Sequence, residues 1–141
     1  MNRKASAVWE GGLKDGRGTI STESGVLSQT PYSFSRRFEG EAGTNPEELV
    51  GAAHASCFSM ALSAMLGEEG LTPQRIETTS TVTLDKDGGG FTVTKVHLDV
   101  QVSMPGADQA KFDAVAEKAK AGCPISKLLN AEITMNAQLQ S

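Results

Sequence analysis

The chain has 141 residues, close to the usual size of one domain, so a single domain over residues 1–141 is expected. Hydrophobic residues make up 38% and charged residues 21%, which is typical of a soluble globular protein and excludes a disordered one. A formal net charge of −4, without a Lys/Arg-rich run, argues against nucleic acid or an anionic membrane surface as the main partner.

The N-terminal third of the chain shows strand patterns interrupted by glycines. Apolar and polar residues alternate over Ala5–Glu10, and no apolar stretch follows the basic residues as it does in a signal peptide. A second strand is predicted over Thr19–Thr22 and a third near Pro31–Phe38, where three aromatic residues cluster. We expect a cytoplasmic protein that begins with a small sheet.

A helix start follows these strands. Asn45 suits the N-cap, Pro46 the first helical position, and Glu48 stands at the capping-box offset. The helix is predicted to run to about Leu66. The stretch 49–66 carries no charge and reaches the lower length limit of a membrane span, but its serines, its histidine and the flanking acids favour a buried helix of a soluble protein.

The second half of the chain begins with a hairpin pattern. Apolar residues alternate over Ile76–Leu84 and over Val96–Val102, with the turn Asp87–Gly90 between them. Two half-buried antiparallel strands are therefore predicted.

Two helices and a strand are predicted to complete the chain. Phe112–Ala119 has the spacing of an amphipathic helix that ends at Gly122, and a short helical stretch follows from Pro124 through Leu129. Alternation over Ile133–Leu139 predicts a final strand. This order predicts an α+β fold with helices packed on antiparallel sheet.

The two cysteines are the residues best suited to chemistry. They are too few for a disulfide framework, whereas a transient catalytic bridge is plausible in a reducing compartment. Cys57 lies within the predicted buried helix, where a free cysteine is often only a small core residue. Cys123 directly precedes Pro124 at a helix start, where backbone N–H groups favour a thiolate, although a plain turn residue is the alternative.

The histidines and charged residues near these thiols have simpler interpretations. His54 precedes Cys57 by three residues, which permits a Cys–His nucleophile but more often indicates a core or interface histidine. The two cysteines with His54 and His97 lack the paired spacing of a structural zinc site, so no metal is expected. The residues alone leave two thiols without an assigned role.

Several motifs resemble a known family. They are Arg-Phe-Glu-Gly at 37–40, Gly-Thr-Asn-Pro-Glu-Glu-Leu at 43–49, Ala-Ala-His-Ala-Ser-Cys-Phe-Ser-Met at 52–60 and Ala-Gly-Cys-Pro at 121–124. Together they strongly resemble the OsmC/Ohr family over essentially the whole chain. The Ser-Thr-Glu-Ser-Gly run at 21–25 and the Ala-Ala-His-Ala before the first cysteine are similar to its osmotically inducible OsmC branch.

The resemblance implies an architecture and a set of site residues. Family members are intertwined homodimers with an OsmC-like two-layer fold, antiparallel sheets and a long buried central helix. The motifs map the peroxidatic thiol onto Cys57 and the resolving thiol onto Cys123, 66 residues later. The family's arginine and glutamate match Arg37 and Glu47, and no cofactor is implied.

The implied activity is a thiol peroxidase that protects against oxidative and osmotic stress. A Cys57 thiolate, stabilised by Arg37, attacks the peroxide and becomes a sulfenic acid. Cys123 then forms a disulfide that a dithiol reductant reopens. Apolar neighbours of Cys57, such as Phe58 and Met60, suggest a pocket for organic hydroperoxides, with hydrogen peroxide as a further substrate.

The active site is expected to lie at a subunit interface. Glu47 and Cys57 stand ten residues apart on one predicted helix, which is about 15 Å along its axis. An arginine held by Glu47 reaches the thiols more easily in another subunit, unless a break near Gly51 shortens the distance. The alternatives are a redox sensor or an apolar-ligand-binding module that uses the same thiols without turnover, and a zinc-binding structural protein.

Overall fold

The computed structural model describes residues 1–140, which form two compact units. The first unit spans Met1–Leu49, and the second begins at Val50. Whether the chain acts as one domain stays a prediction. In chain order the elements are β1 (Ala5–Glu10), β2 (Arg17–Thr22), β3 (Thr30–Tyr32), α1 (Phe34–Phe38), α2 (Pro46–Glu68), β4 (Arg75–Asp87), β5 (Gly90–Ser103), α3 (Gln109–Gly122), α4 (Pro124–Leu128) and β6 (Glu132–Gln140).

The first unit contains a small antiparallel sheet in the order β1-β2-β3. All six residues of β1 are exposed, and the rings of Trp9 and Tyr32 meet at 5.4 Å between their centroids. Every fully buried apolar side chain of the described residues lies in the second unit instead. The first unit therefore has no apolar core of its own within this chain.

The expectation of a third strand over Pro31–Phe38 is wrong beyond Tyr32. The chain turns into α1 because the Ser33 hydroxyl accepts a hydrogen bond from the backbone N–H of Arg36, at 3.2 Å, and so caps a helix. Phe34 and Phe38 are four residues apart, and their rings pack at 4.9 Å along one face of α1. The aromatic spacing that suggested a strand is therefore a helical pair.

The predicted hairpin is confirmed as β4 and β5 of the second sheet, whose order is β4-β5-β6. Asp87 pairs with Gly90, so the connection is a two-residue turn. Gly88 and Gly89 both have positive φ, at 57° and 95°, as a primed hairpin turn requires. The apolar residues of β5 face the core as the alternation predicted.

The expectation of purely antiparallel sheets is wrong for the last strand. β6 pairs with β5 in parallel, from Lys95 opposite Glu132 to Ser103 opposite Gln140. The helices α3 and α4 lie between these two strands in the sequence. Through them the chain returns to the end of the sheet where β5 begins, as a parallel pair of strands requires. The predicted apolar face of β6 does pack against the core.

The helix start at Asn45 is confirmed. The Asn45 side chain accepts the backbone N–H of Glu48 at 2.8 Å, and α2 runs from Pro46 without a break at Gly51. Only one stripe of α2 is buried within the chain, and the opposite face is exposed, with Met60 77% accessible. The expected buried helix is therefore observed only along this stripe in a single chain.

The buried stripe of α2 forms the core of the second unit with the sheet and α3. By length and composition α2 is apolar enough to span a membrane, but its stripe packs into this core. The predicted amphipathic face of α3 is confirmed, and α4 follows it as predicted. The fully buried apolar side chains contributed by the helices are Phe58, Leu62, Leu66, Phe112 and Ala119.

Candidate active site

The fold brings the two cysteines into contact. Cys57 lies on α2 and Cys123 lies between α3 and α4, and their sulfur atoms are 3.1 Å apart. Both are free thiols. A disulfide has an S–S distance of about 2.05 Å, so a movement of about 1 Å is enough to form the bond.

Burial distinguishes the two thiols. Cys123 is completely buried, whereas Cys57 is partly exposed on the edge of the buried stripe of α2. Within one chain a solute can therefore reach Cys57 but not Cys123.

The two thiols also differ in acidity. Burial raises the pKa of Cys57; a hydrogen bond from the backbone of Ile125 offsets part of this, and the neighbouring Cys123 raises the pKa further. Burial also opposes ionisation of Cys123, but hydrogen bonds outweigh this effect and lower the pKa of Cys123. These hydrogen bonds come from the backbone of Ser126, from Cys57, from the Ser126 hydroxyl and from the backbone of Ile125. Within one chain, Cys123 therefore holds a thiolate more readily than Cys57.

His54 contacts the short helix α4 that follows Cys123. It is completely buried, and its Nε2 lies 2.7 Å from Oγ of Ser126. Among residues 1–140 its Nδ1 has no hydrogen-bond partner. Burial lowers the pKa of His54, so the ring is neutral near pH 7. The hydrogen bond to Ser126 differs from the Cys–His nucleophile that the spacing permitted.

Ser126 is the residue of this site that the sequence analysis missed. It lies in α4, three residues after Cys123, and is 6% exposed. The only sequence signal for it is its position in the first turn of the short helix that begins at Pro124.

Arg37 and Glu47, in the first unit, form a bidentate ion pair. Nε of Arg37 lies 3.1 Å from Oε2 of Glu47, and Nη2 lies 2.7 Å from Oε1. The side chains are 36% and 15% exposed, so solvent screens the pair only partly. The neighbouring Arg36 instead binds the carbonyl of Ala42 and the carboxylate of Glu41.

An aromatic cavity of about 280 Å³ lies beside Arg37. The expected pocket made by Phe58 and Met60 is not observed, because Phe58 is in the core and Met60 points away from it into solvent. Neighbouring positions on a helix point in different directions, and the linear sequence hides this. The residues that line the cavity are Trp9, Leu13, Tyr32, Ser33, Phe34, Arg37 and Phe38.

No three His, Cys, Asp or Glu side chains cluster as ligands between residues 1 and 140. The second histidine, His97, instead lies 2.6 Å from the hydroxyl of Thr134 on the neighbouring strand and 3.5 Å from Asp99.

Known proteins are similar to this chain in sequence and in fold. A family model described as OsmC-like protein matches residues 38–138. The chain is 60% identical over 141 residues to Peroxiredoxin OsmC of Escherichia coli strain K12, covering 100% of this chain and 99% of that protein. It is 29% identical over 124 residues to the organic hydroperoxide resistance protein OhrB of Bacillus subtilis, covering 87% and 89%.

Solved structures extend this likeness to the backbone. The crystal structure of OhrB of Bacillus subtilis has a TM-score of 0.72 at 28% identity, covering 96% of this chain and 98% of that one. An OsmC-like protein from Mycoplasma pneumoniae has a TM-score of 0.77 at 16% identity, covering 100% and 99%, and supports the fold alone. The chain therefore belongs to the family of OsmC-like proteins that the motifs around its two cysteines indicated.

Proposed function

We propose that this protein is a cysteine-based peroxidase that reduces organic hydroperoxides and hydrogen peroxide with Cys57 and Cys123. The observation that carries the proposal is the pair of free thiols at 3.1 Å, one partly exposed and one fully buried. The names Peroxiredoxin OsmC and organic hydroperoxide resistance protein, given to its relatives, support the same activity.

The reaction has two steps on the protein. The Cys57 thiolate attacks one oxygen of the peroxide, the O–O bond breaks, and the other oxygen leaves with a proton as an alcohol or water. Cys57 is then a sulfenic acid. The Cys123 thiolate attacks its sulfur, an S–S bond replaces the S–O bond, and the departing hydroxide takes up a proton to form water. A dithiol reductant returns both cysteines to thiols.

Arg37 is the cation that this chemistry needs. A guanidinium beside Cys57 stabilises the thiolate that burial disfavours, and its remaining N–H groups donate to the peroxide oxygens. Glu47 holds the guanidinium through two hydrogen bonds and so fixes its orientation. The aromatic cavity at Arg37 then offers an apolar wall for the alkyl group of a hydroperoxide.

The site is proposed to be composite, with Arg37 and Glu47 of one subunit beside the thiols of a second copy. Two features support a homodimer. The first unit has a small sheet with an exposed β1 and no buried apolar core, and such a sheet is marginal unless another surface covers it. The outer face of α2 is rich in small and apolar residues, including the exposed Met60.

Complementation between two inactive variants tests the composite site. Arg37→Ala is expected to lower kcat/KM on the order of 10²-fold, because the developing charge loses its cation. The Arg37→Ala protein is mixed with Cys57→Ser protein so that subunits exchange. Each heterodimer then has one intact site, formed by Cys57 of one chain and Arg37 of the other. At a 1:1 ratio, about a quarter of the wild-type activity per subunit should return.

Native mass spectrometry supplies the control for this experiment, because it shows whether heterodimers have formed. A matched control mixes Cys57→Ser with Cys123→Ser protein, whose thiol pair is broken in both chains. That mixture should regain no sustained turnover. Demonstrated heterodimers of the first mixture without activity would contradict a composite site.

A steady-state assay with a dithiol separates the peroxidase from a redox sensor. Repeated turnover is expected, with a higher kcat/KM for an alkyl hydroperoxide than for hydrogen peroxide, because the cavity beside Arg37 has apolar walls. The measurement follows peroxide loss with lipoyl-type and thioredoxin-type dithiols. A sensor or a ligand-binding module would consume one equivalent and stop.

The expected setting is the cytoplasm, where dithiol reductants are available to reopen the disulfide. Removal of hydroperoxides protects against oxidative stress, and a role in osmotic stress is what the resemblance to the OsmC branch implies. The net charge of −4 continues to argue against nucleic acid or an anionic membrane as a partner.

A further inference from the structure

A buried histidine is hydrogen-bonded to the short helix that begins next to the buried thiol. Nε2 of His54 on α2 lies 2.7 Å from Oγ of Ser126 on α4, and both side chains are buried. Ser126 stands three residues after Cys123 in the first turn of α4, and its hydroxyl and backbone N–H help to lower the pKa of Cys123. The peroxidase chemistry described above assigns no role to His54 or to the Ser126 hydroxyl.

The direction of this hydrogen bond follows from the number of protons available. A hydroxyl has one proton, so Ser126 can donate to the Cys123 thiolate only if it accepts from Nε2 of His54. A neutral ring with its proton on Nε2 satisfies this condition, and the low pKa that burial gives His54 keeps the ring neutral. Nδ1 then carries no proton, so the ring has no buried N–H without a partner, and the Nδ1 lone pair is what lacks one among residues 1–140.

We infer that His54 is a positioning residue for the resolving step: it turns the Ser126 hydroxyl so that its proton points at the Cys123 sulfur and stabilises the attacking thiolate. The inference rests on the proposed peroxidase function. It extends that function to the ionisation of the buried Cys123 thiol once Cys57 has become a sulfenic acid.

The resolving step defines what this stabilisation does. The Cys123 thiolate displaces hydroxide from the Cys57 sulfenic sulfur, the S–S bond forms as the S–O bond breaks, and the proton that left Cys123 completes the water molecule. A thiolate held beside the sulfenic acid shortens the life of that acid. Rapid resolution protects Cys57 from a second peroxide molecule, which would form a sulfinic acid.

A purely structural role for the same hydrogen bond makes a different prediction. A bond between α2 and α4 that served only to hold the helices together would affect the stability of the fold. It would leave the acidity of Cys123 unchanged. Thermal stability and thiol acidity therefore separate the two roles.

The first experiment measures Cys123 without any peroxide. In the Cys57→Ser background only one thiol remains, and its thiolate absorbance is followed against pH. Adding His54→Phe or Ser126→Ala is expected to raise the pKa of Cys123, because both remove the donor chain. His54→Gln, which presents an N–H in place of Nε2–H, should restore much of the acidity. An unchanged thiol pKa in both the His54→Phe and the Ser126→Ala proteins would overturn the inference.

The second experiment measures the lifetime of the Cys57 sulfenic acid in proteins that keep both cysteines. After one equivalent of an alkyl hydroperoxide, a sulfenic-specific trap should capture roughly tenfold more sulfenic acid in His54→Phe than in wild type, as expected for loss of a hydrogen bond to a charged group. The double variant with Ser126→Ala should be no worse than Ser126→Ala alone, because His54 acts through Ser126. Additive effects would overturn the inference.

Ser59→Ala is the matched control. The Ser59 hydroxyl lies 2.8 Å from that of Thr78 and so links α2 to β4, as Ser126 links α2 to α4. Its loss should leave the sulfenic lifetime at the wild-type value. If no sulfenic acid forms in wild-type protein, the peroxidase proposal fails, whereas the thiol acidity experiment still decides the role of His54.

Discussion

Replacing Cys57 by serine is expected to abolish peroxide turnover, with a fall in kcat/KM of about 10³-fold or more. A serine hydroxyl does not ionise near neutral pH and cannot form a sulfenic acid, so the first step has no nucleophile. The fold should remain, because the substitution is nearly isosteric at a partly exposed position. The measurement is initial-rate peroxide consumption with excess dithiol, together with the thermal unfolding midpoint.

The order of thiol acidity makes this test decisive. Within one chain Cys123 has the lowered pKa and Cys57 the raised one, so acidity alone would select Cys123 as the nucleophile. Accessibility selects Cys57, because Cys123 is completely buried. We expect accessibility to win, since a peroxide must reach the sulfur before acidity matters. A Cys57→Ser protein that still loses one thiol per equivalent of peroxide would reverse the assignment.

Replacing Cys123 by serine is expected to stop the cycle after its first step. Oxidation with one equivalent of alkyl hydroperoxide should leave Cys57 as a sulfenic acid, and excess peroxide should carry it to the sulfinic state. Sustained turnover should fall at least about 100-fold, because an attacking thiol held 3.1 Å away has an effective concentration that no external thiol reaches. Intact-mass spectrometry identifies the oxygen atoms added to Cys57.

The wild-type protein provides the comparison for this prediction. The same equivalent of peroxide should remove both of its thiols together and join them within one chain, as the contact between the two sulfurs requires. A non-reducing gel separates a bridge within a chain from one between chains. A bridge between chains would refute the resolving role assigned here.

Much of the fold followed from local patterns. Asn45 and Pro46 marked the start of α2 because capping depends on a few neighbouring residues. The two-glycine turn between β4 and β5 was equally local, since the required positive φ values select glycine. The apolar periodicity of α3 and β6 assigned their buried faces correctly.

The failures came from patterns with two physical solutions. Phe34 and Phe38 fit a strand end or one helical face, and the Ser33 cap decided for the helix. The direction of β6 relative to β5 depends on how α3 and α4 cross the sheet, which alternation along one strand cannot report. The apolar composition of α2 predicted a buried helix without saying how much of its surface is covered, and the core of one chain covers a single stripe.

The sequence by itself determined most of the element types, with α1 as an exception, the two thiols and, through the motifs around them, the family and the candidate residues Arg37 and Glu47. Only the tertiary structure decided that Cys57 meets Cys123, that one is accessible and the other is not, and that His54 meets Ser126. These contacts join residues 66 and 72 positions apart. Caps, turns and periodicity act over a few residues, whereas contacts of this range depend on how α2, α3 and α4 pack together.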